Sequence, residues 1–163
     1  MSATVEIRLT VNGEAVARAV PARLSLVDFL RDELGLTGTR AGCEHGVCGA
    51  CTVRLDGAIV RACLLFAAQL EGARVDTIEG LSASGEIADL QRMFHERNAL
   101  QCGFCTAGML VTAAELLRRD APPSRAEIRE FLSGNYCRCT GYHAIIDAVE
   151  TACRRRAAGE ESR

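Results

Sequence analysis

The residues that most restrict this chain lie between Ala41 and Cys51, reading AGCEHGVCGAC, with Cys63 following. Cys43, Cys48, Cys51 and Cys63 are separated by gaps of four, two and eleven residues. A close triplet with one distant fourth thiol is the plant-type ligand spacing for a [2Fe–2S] cluster. Each iron takes tetrahedral sulfur, so the thiolates must converge on a small inorganic core. A loop can aim three ligands inward only if its backbone wraps that core closely. Gly42, Gly46 and Gly49 remove Cβ where such wrapping is tightest and let main-chain amides approach the sulfurs. Structural zinc sites usually come as two close pairs, which the triplet is not. Rieske-type ligation needs two histidines in place of two cysteines. The four cysteines already complete the set, so His45 reads as a solvated loop residue.

Four more cysteines lie in the second half. Cys102 and Cys105 flank Gly103-Phe104, and after a gap of 31 residues Cys137 and Cys139 flank Arg138. Two close pairs can build one four-thiolate site, and on spacing alone either zinc or a second [2Fe–2S] cluster satisfies it. Cys102 and Cys105 precede a predicted helix, where free amides and the dipole favour thiolate. Arg138 adds positive charge beside them. The ninth thiol, Cys153, has no partner nearby in sequence and reads as a small buried side chain.

The chain has 163 residues, enough for one ordinary domain or two small ones. Aromatics are 4% and Trp is absent, which argues against a base-stacking surface for single-stranded nucleic acid. The net charge of −2 leaves no basic footprint for DNA or RNA. Nine cysteines raise the alternative of a secreted disulfide scaffold. The odd count opposes it, as does an N-terminus, MSATVEIRLT, without a basic and then apolar leader. The longest apolar run, near Met109, is broken by Glu115 and Arg118, so no membrane span is expected. The expected setting is a reducing cytoplasm in which thiols are reserved for metal.

In chain order, Val5, Ile7, Leu9 and Val11 alternate with polar residues and predict a half-buried strand. Asn12-Gly13 predicts a hairpin turn, Ala15–Val20 the return strand, and Pro21 its break. Ser25 can cap a helix from about Leu26 to Leu34, ended by Gly35. Thr52–Leu55 and Ile59–Cys63 read as strands around an Asp56-Gly57 turn, and Arg74–Ile78 as a last strand. Gly80–Gly85, all small residues but Leu81, reads as a linker. Beyond it, helices are expected over Ile87–Arg97, Thr106–Arg119, Ser124–Leu132 (with Ser124 and Glu127 as a capping box) and His143–Arg156. The fold class is therefore α+β: a mixed unit over residues 1–79, then an all-α unit over residues 80–163 packed as a four-helix bundle.

The two cysteine sets in this order, CEHGVCGAC…C and then QCGFCTAG…CRCTGY, resemble the small iron–sulfur subunit of the molybdenum hydroxylases. This is the xanthine dehydrogenase, aldehyde oxidoreductase and carbon monoxide dehydrogenase family, and the likeness runs from Val5 to about Ala152. It implies a β-grasp, plant-type ferredoxin domain holding one [2Fe–2S] cluster on Cys43, Cys48, Cys51 and Cys63, toward FAD. It implies a second [2Fe–2S] cluster on Cys102, Cys105, Cys137 and Cys139 in a helical domain, toward molybdenum. Cys139 and Gln101 would border the pterin of molybdopterin, usually its cytosine dinucleotide form. The resemblance further implies a large molybdopterin-binding partner, a medium FAD-binding partner, and a heterotrimer or its dimer. In that assembly the chain relays single electrons from molybdenum to FAD or another acceptor and does no bond-making itself. It also looks like a separate small subunit, ending where fused relatives continue. Ala107 stands where the family commonly has Pro, and Tyr136 where it often has Leu; neither removes a ligand. A free-standing two-cluster ferredoxin is the other class the residues allow. A relay needs both clusters near a partner, so exposed apolar patches are expected around both loops.

Overall fold

The computed structural model describes residues 3–159. Strands β1 (Thr4–Val11) and β2 (Glu14–Pro21) form the predicted hairpin. Asn12 and Gly13 take φ of 52° and 83°, the left-handed pair that a two-residue type I′ loop demands. Ile7, Leu9 and Val11 are buried, whereas Val5, near the strand's start, is exposed. Pro21 closes β2 rather than breaking it: β2 is an edge strand, where a missing N–H costs no ladder bond.

Ser25 caps α1 (Leu26–Asp28), its hydroxyl accepting from the Asp28 amide at 3.1 Å. The helix then widens into a π-helical turn, Phe29–Glu33, with Leu34 N–H donating to Phe29 O at 3.2 Å. Leu26, Val27, Phe29 and Leu30 are all buried, and nothing in their spacing announces the widening. Strands β3 (Thr52–Leu55) and β4 (Ala58–Arg61) turn on Asp56-Gly57, again with two positive φ values. The chain leaves β4 at Arg61 and takes a 3₁₀ turn, Ala62–Leu64, so Cys63 sits on a turn and not on the expected strand. With β5 (Arg74–Asp76) the sheet order is β2-β1-β5-β3-β4; β5 is parallel to β1 and antiparallel to β3. Ile7, Val20, Leu26, Phe29, Leu30, Val53 and Val75 belong to the core of this half.

The stretch read as a linker is helical: α2 spans Ile78–Ala83. Leu81 is buried in a second core and Ile78 packs against it, three residues apart on one face. Asn12 fixes the helix start, its Nδ2 donating to Thr77 Oγ1 at 3.0 Å and its Oδ1 accepting from the Thr77 amide at 2.8 Å. A Cβ on Gly80 would lie 2.3 Å from that same Oδ1. The small residues report close packing of a hairpin turn on a helix, where composition suggested flexibility. Helices α3 (Ala88–Glu96), α4 (Thr106–Leu117), α5 (Arg125–Phe131) and α6 (His143–Ala157) follow near their predicted positions. The Ser124–Glu127 capping box is formed in both directions. Leu90, Met93, Phe94, Met109, Ile128, Leu132, Ile145 and Val149 lie in their shared core.

The two halves meet along β3, β4 and α4. Arg54 of β3 is almost fully buried and pairs with Glu86 Oε1 at 2.7 Å and Glu115 Oε1 at 2.9 Å. The two carboxylates share the buried guanidinium, so only the loss of both would leave its charge uncompensated.

Candidate metal centres

The Ala41–Cys51 loop has no regular secondary structure and is pinned from both sides. On one side lies the helical half. Gly49 has φ +74°, and a Cβ there would stand 2.5 Å from Gly134 O. Reciprocally, a Cβ on Gly108 of α4 would stand 2.2 Å from Gly49 O. Backbone therefore touches backbone, which only glycine permits. Within the loop, a Cβ on Gly42 would be 3.1 Å from Cys48 Sγ, so the chain passes directly over that thiol. His45 is exposed and its Nδ1 hydrogen-bonds to Cys43 O, closing a local turn.

All four thiols of the first set are neighbours. Cys43 lies beside Cys48, and Cys51 beside Cys63. The Cys48 amide donates to Cys43 Sγ at 3.4 Å. The amides of Cys48 and His45 hold the Cys43 thiol down to about 6, ready to be thiolate at neutral pH. Cys51 is buried, and burial followed by the Cys63 thiol pushes it up to about 11.

The second set is assembled from the turn before α4 and the turn before α6. Cys105 is the N-cap of α4. Cys102 Sγ and Cys139 Sγ are 3.6 Å apart, and Cys105 lies beside Cys137. Cys102 and Cys139 are exposed, whereas Cys105 and Cys137 are half-buried. The Phe104 amide, then the Cys139 thiol, lowers Cys102. Burial, then the Cys137 thiol, pushes Cys105 up to about 12. At Cys137 burial, the largest single influence, raises the thiol, but the Thr140 hydroxyl, which donates to its Sγ at 3.2 Å, together with the Thr140 and Cys139 amides and the Cys105 thiol, outweighs it, and the thiol is lowered. Arg138 between them is exposed. Cys153 stands apart, buried in α6, and burial raises it to about 11.

Among the described residues, no three His, Cys, Asp or Glu side chains close on one point as a single ion requires. The thiols instead associate two by two, and N–H and O–H donors point at the sulfurs. That donor set fits a two-iron core, in which each iron takes two thiolates and the surrounding amides offset the negative charge.

The two sets are joined. Tyr136 N–H, one residue before Cys137, donates to Cys48 O at 2.8 Å. Asn135 is buried beneath, its Nδ2 donating to Gly49 O at 3.0 Å and its Oδ1 accepting from Thr112 Oγ1 at 3.0 Å. Tyr142 OH accepts from the Cys137 amide at 2.9 Å and donates to Asn135 O at 3.2 Å. The phenol thereby fixes the Cys137 turn. Gln101 Nε2 donates to Cys139 O at 3.1 Å, so the two residues expected at the pterin lie together, both exposed. Of the exposed large apolar side chains among the described residues, all but Val5 flank one of the sets. Val47, Leu64 and Phe66 lie at the first; Leu100, Phe104 and Tyr136 lie at the second. Thr140 and Tyr142 stand inside the CRCTGY motif, but spacing assigns roles only to its thiols, and Asn135 lies two residues ahead of it with no signal beyond that proximity.

Residues 9–82 match the family model described as 2Fe-2S iron-sulfur cluster binding domain, and residues 77–150 that described as [2Fe-2S] binding domain. Caffeine dehydrogenase subunit gamma of Pseudomonas sp. (strain CBB1) is 54% identical over 148 residues, which cover 89% of this chain and 89% of that one. The chain belongs to the small iron–sulfur subunits of the molybdenum hydroxylases. Another such small subunit, that of nicotine 6-hydroxylase from Paenarthrobacter nicotinovorans, is 54% identical over 145 residues, covering 89% of this chain and 87% of its own. Quinoline 2-oxidoreductase from Pseudomonas putida 86 has a chain that superposes with a TM-score of 0.87 at 49% identity, covering 96% of this chain and 98% of that one. As a small iron–sulfur subunit, the chain is part of an oxidoreductase complex and carries two 2Fe-2S binding domains.

Proposed function

We propose that this subunit is the electron relay of its complex, with Cys43, Cys48, Cys51 and Cys63 holding one [2Fe–2S] core and Cys102, Cys105, Cys137 and Cys139 holding the other. When bound, each core accepts and releases one electron at a time. The chain's residues hold, insulate and connect. Cys51 is the shielded ligand of the first set; in the second, Cys105 and Cys137 are half-buried while Cys102 and Cys139 reach solvent. The observation that carries the reading is the 2.8 Å hydrogen bond from Tyr136 N–H to Cys48 O. It links a ligand of one set to the neighbour of a ligand of the other through main chain alone.

Residues 1–79 form a β-grasp ferredoxin-type domain and residues 80–163 a four-helix-bundle domain, with α2 straddling the division. The five-stranded sheet with α1 supports the first assignment, and the shared core of α3 to α6 the second. Gln101 and Cys139 face the molybdopterin cofactor, as its cytosine dinucleotide, on a large partner subunit. Val47, Leu64 and Phe66 meet a medium, FAD-binding partner. The complex is a heterotrimer or its dimer and works in the cytoplasm; among the described residues no helix is long and apolar enough to cross a membrane. The substrate contacts lie outside this chain. The test is purification of the native complex, with iron analysis and EPR after reduction. The expected result is about four irons per small chain and two distinct spin-½ signals. Half that iron, or a single signal, overturns the two-core reading. A chain that never copurifies with larger ones overturns the partnered reading in favour of a diffusible carrier.

A further inference from the structure

Two arginines cross from the sheet to the helical half, and they are treated differently. Arg54 is neutralised by Glu86 and Glu115. Arg61, at the end of β4 and two residues before Cys63, has only uncharged acceptors among the described residues. Its guanidinium donates to Thr52 Oγ1, to Gly134 O at 2.7 Å and to Asn135 Oδ1 at 3.4 Å. Thr52 follows Cys51, and Gly134-Asn135 precede Cys137 by two or three residues. The head group thus sits in the seam between the two thiol sets, half-buried, with its charge uncompensated by any of those partners. A desolvated cation without a counter-charge is costly unless negative charge is supplied nearby. Two [2Fe–2S] cores with four thiolates each carry about −2 apiece and gain one more negative charge with each electron accepted.

We infer that Arg61 is a positioning residue that also acts electrostatically. Its fixed positive charge in the seam favours the reduced form of both cores, while its fork clamps Gly134-Asn135, just ahead of Cys137, to Thr52, just after Cys51. This rests on the proposed two-core reading. If that reading fails, the unmodified complex lacks one of the cluster signals; if this inference fails, both signals are present and their potentials do not respond.

The test is an EPR-monitored redox titration of the native complex carrying Arg61→Gln, Gly134→Asp or Gly134→Ala. Arg61→Gln keeps a donor for Gly134 O and removes the charge. Both midpoint potentials are expected to fall, by up to about tenfold in the reduction equilibrium, about 59 mV for a one-electron couple. Should Arg61→Gln fail to assemble, the pair at 134 decides. A Cβ on Gly134 would lie 2.8 Å from Arg61 Nη2, at the movable end of that side chain. Gly134→Asp therefore sets a carboxylate against the retained guanidinium and is expected to lower both potentials, whereas Gly134→Ala leaves them in place. Unshifted potentials in Arg61→Gln or in Gly134→Asp overturn the inference, as does an equal fall in Gly134→Ala and Gly134→Asp.

Discussion

The two thiol sets solve one chemical problem by different means. The first is nearly self-contained: three of its cysteines lie within nine residues, and a two-residue hairpin returns the fourth. The second is two pairs 31 residues apart, brought together only when α4, α5 and α6 pack. The first therefore depends on loop geometry and the second on a hydrophobic core. The contrast stops at the seam, where Gly49, Gly108, Gly134 and Asn135 place the loop of one against the frame of the other.

The largest effect is expected where that contrast breaks. Gly49→Val places a β-branched side chain at φ +74° and against Gly134 O. Left-handed strain and a backbone clash together cost roughly 4 kcal/mol or more, and both cores should be lost, measured as iron per chain and as Tm. Met109→Ala sharpens the contrast. Met109 is fully buried in α4, and its truncation costs about 2–5 kcal/mol. The second core should empty first, leaving about half the iron and one EPR signal. Simultaneous loss of both signals would show that the halves unfold as one. Asn135→Ala leaves the Gly49 carbonyl and the Thr112 hydroxyl without that partner, worth about 1–3 kcal/mol. Amide exchange at Tyr136 should quicken, reporting a loosened bond to Cys48.

The smallest effect is at the Arg54 pair. Arg54 holds the Glu86 carboxyl below its usual value, first by hydrogen bonding and against the opposing effect of burial. A carboxyl lowered on folding stabilises the native state fully above its unfolded value of about 4.3, and less as pH falls through the lowered one. Glu86→Gln should therefore destabilise by under about 1 kcal/mol near pH 7, since Glu86 is partly solvated. The difference from the native protein should shrink in denaturant titrations as the pH falls below about 4.

Much of this architecture was legible because its signals are local. Asn12-Gly13 and Asp56-Gly57 announce their turns, Ser124 and Glu127 announce a helix start, and both cysteine groupings follow from spacing. What was hidden depends on distant partners. Gly80 reads as flexible until Asn12 is packed against it. Arg61 reads as an ordinary strand arginine until Gly134 and Asn135 arrive from the other half. The pairing of Cys102 with Cys139 and Cys105 with Cys137 is set by the approach of α4 to α6, which no spacing encodes.

The bare contact of Gly49 with Gly108 also governs how such subunits can be recombined. A hybrid that grafts the helical half of another protein onto this sheet inherits the seam only if the graft brings a glycine opposite position 49 and an asparagine ahead of its CRC motif. Shuffling thereby favours matched halves, because a single methyl group at either surface overlaps the opposite backbone and forces it to shift.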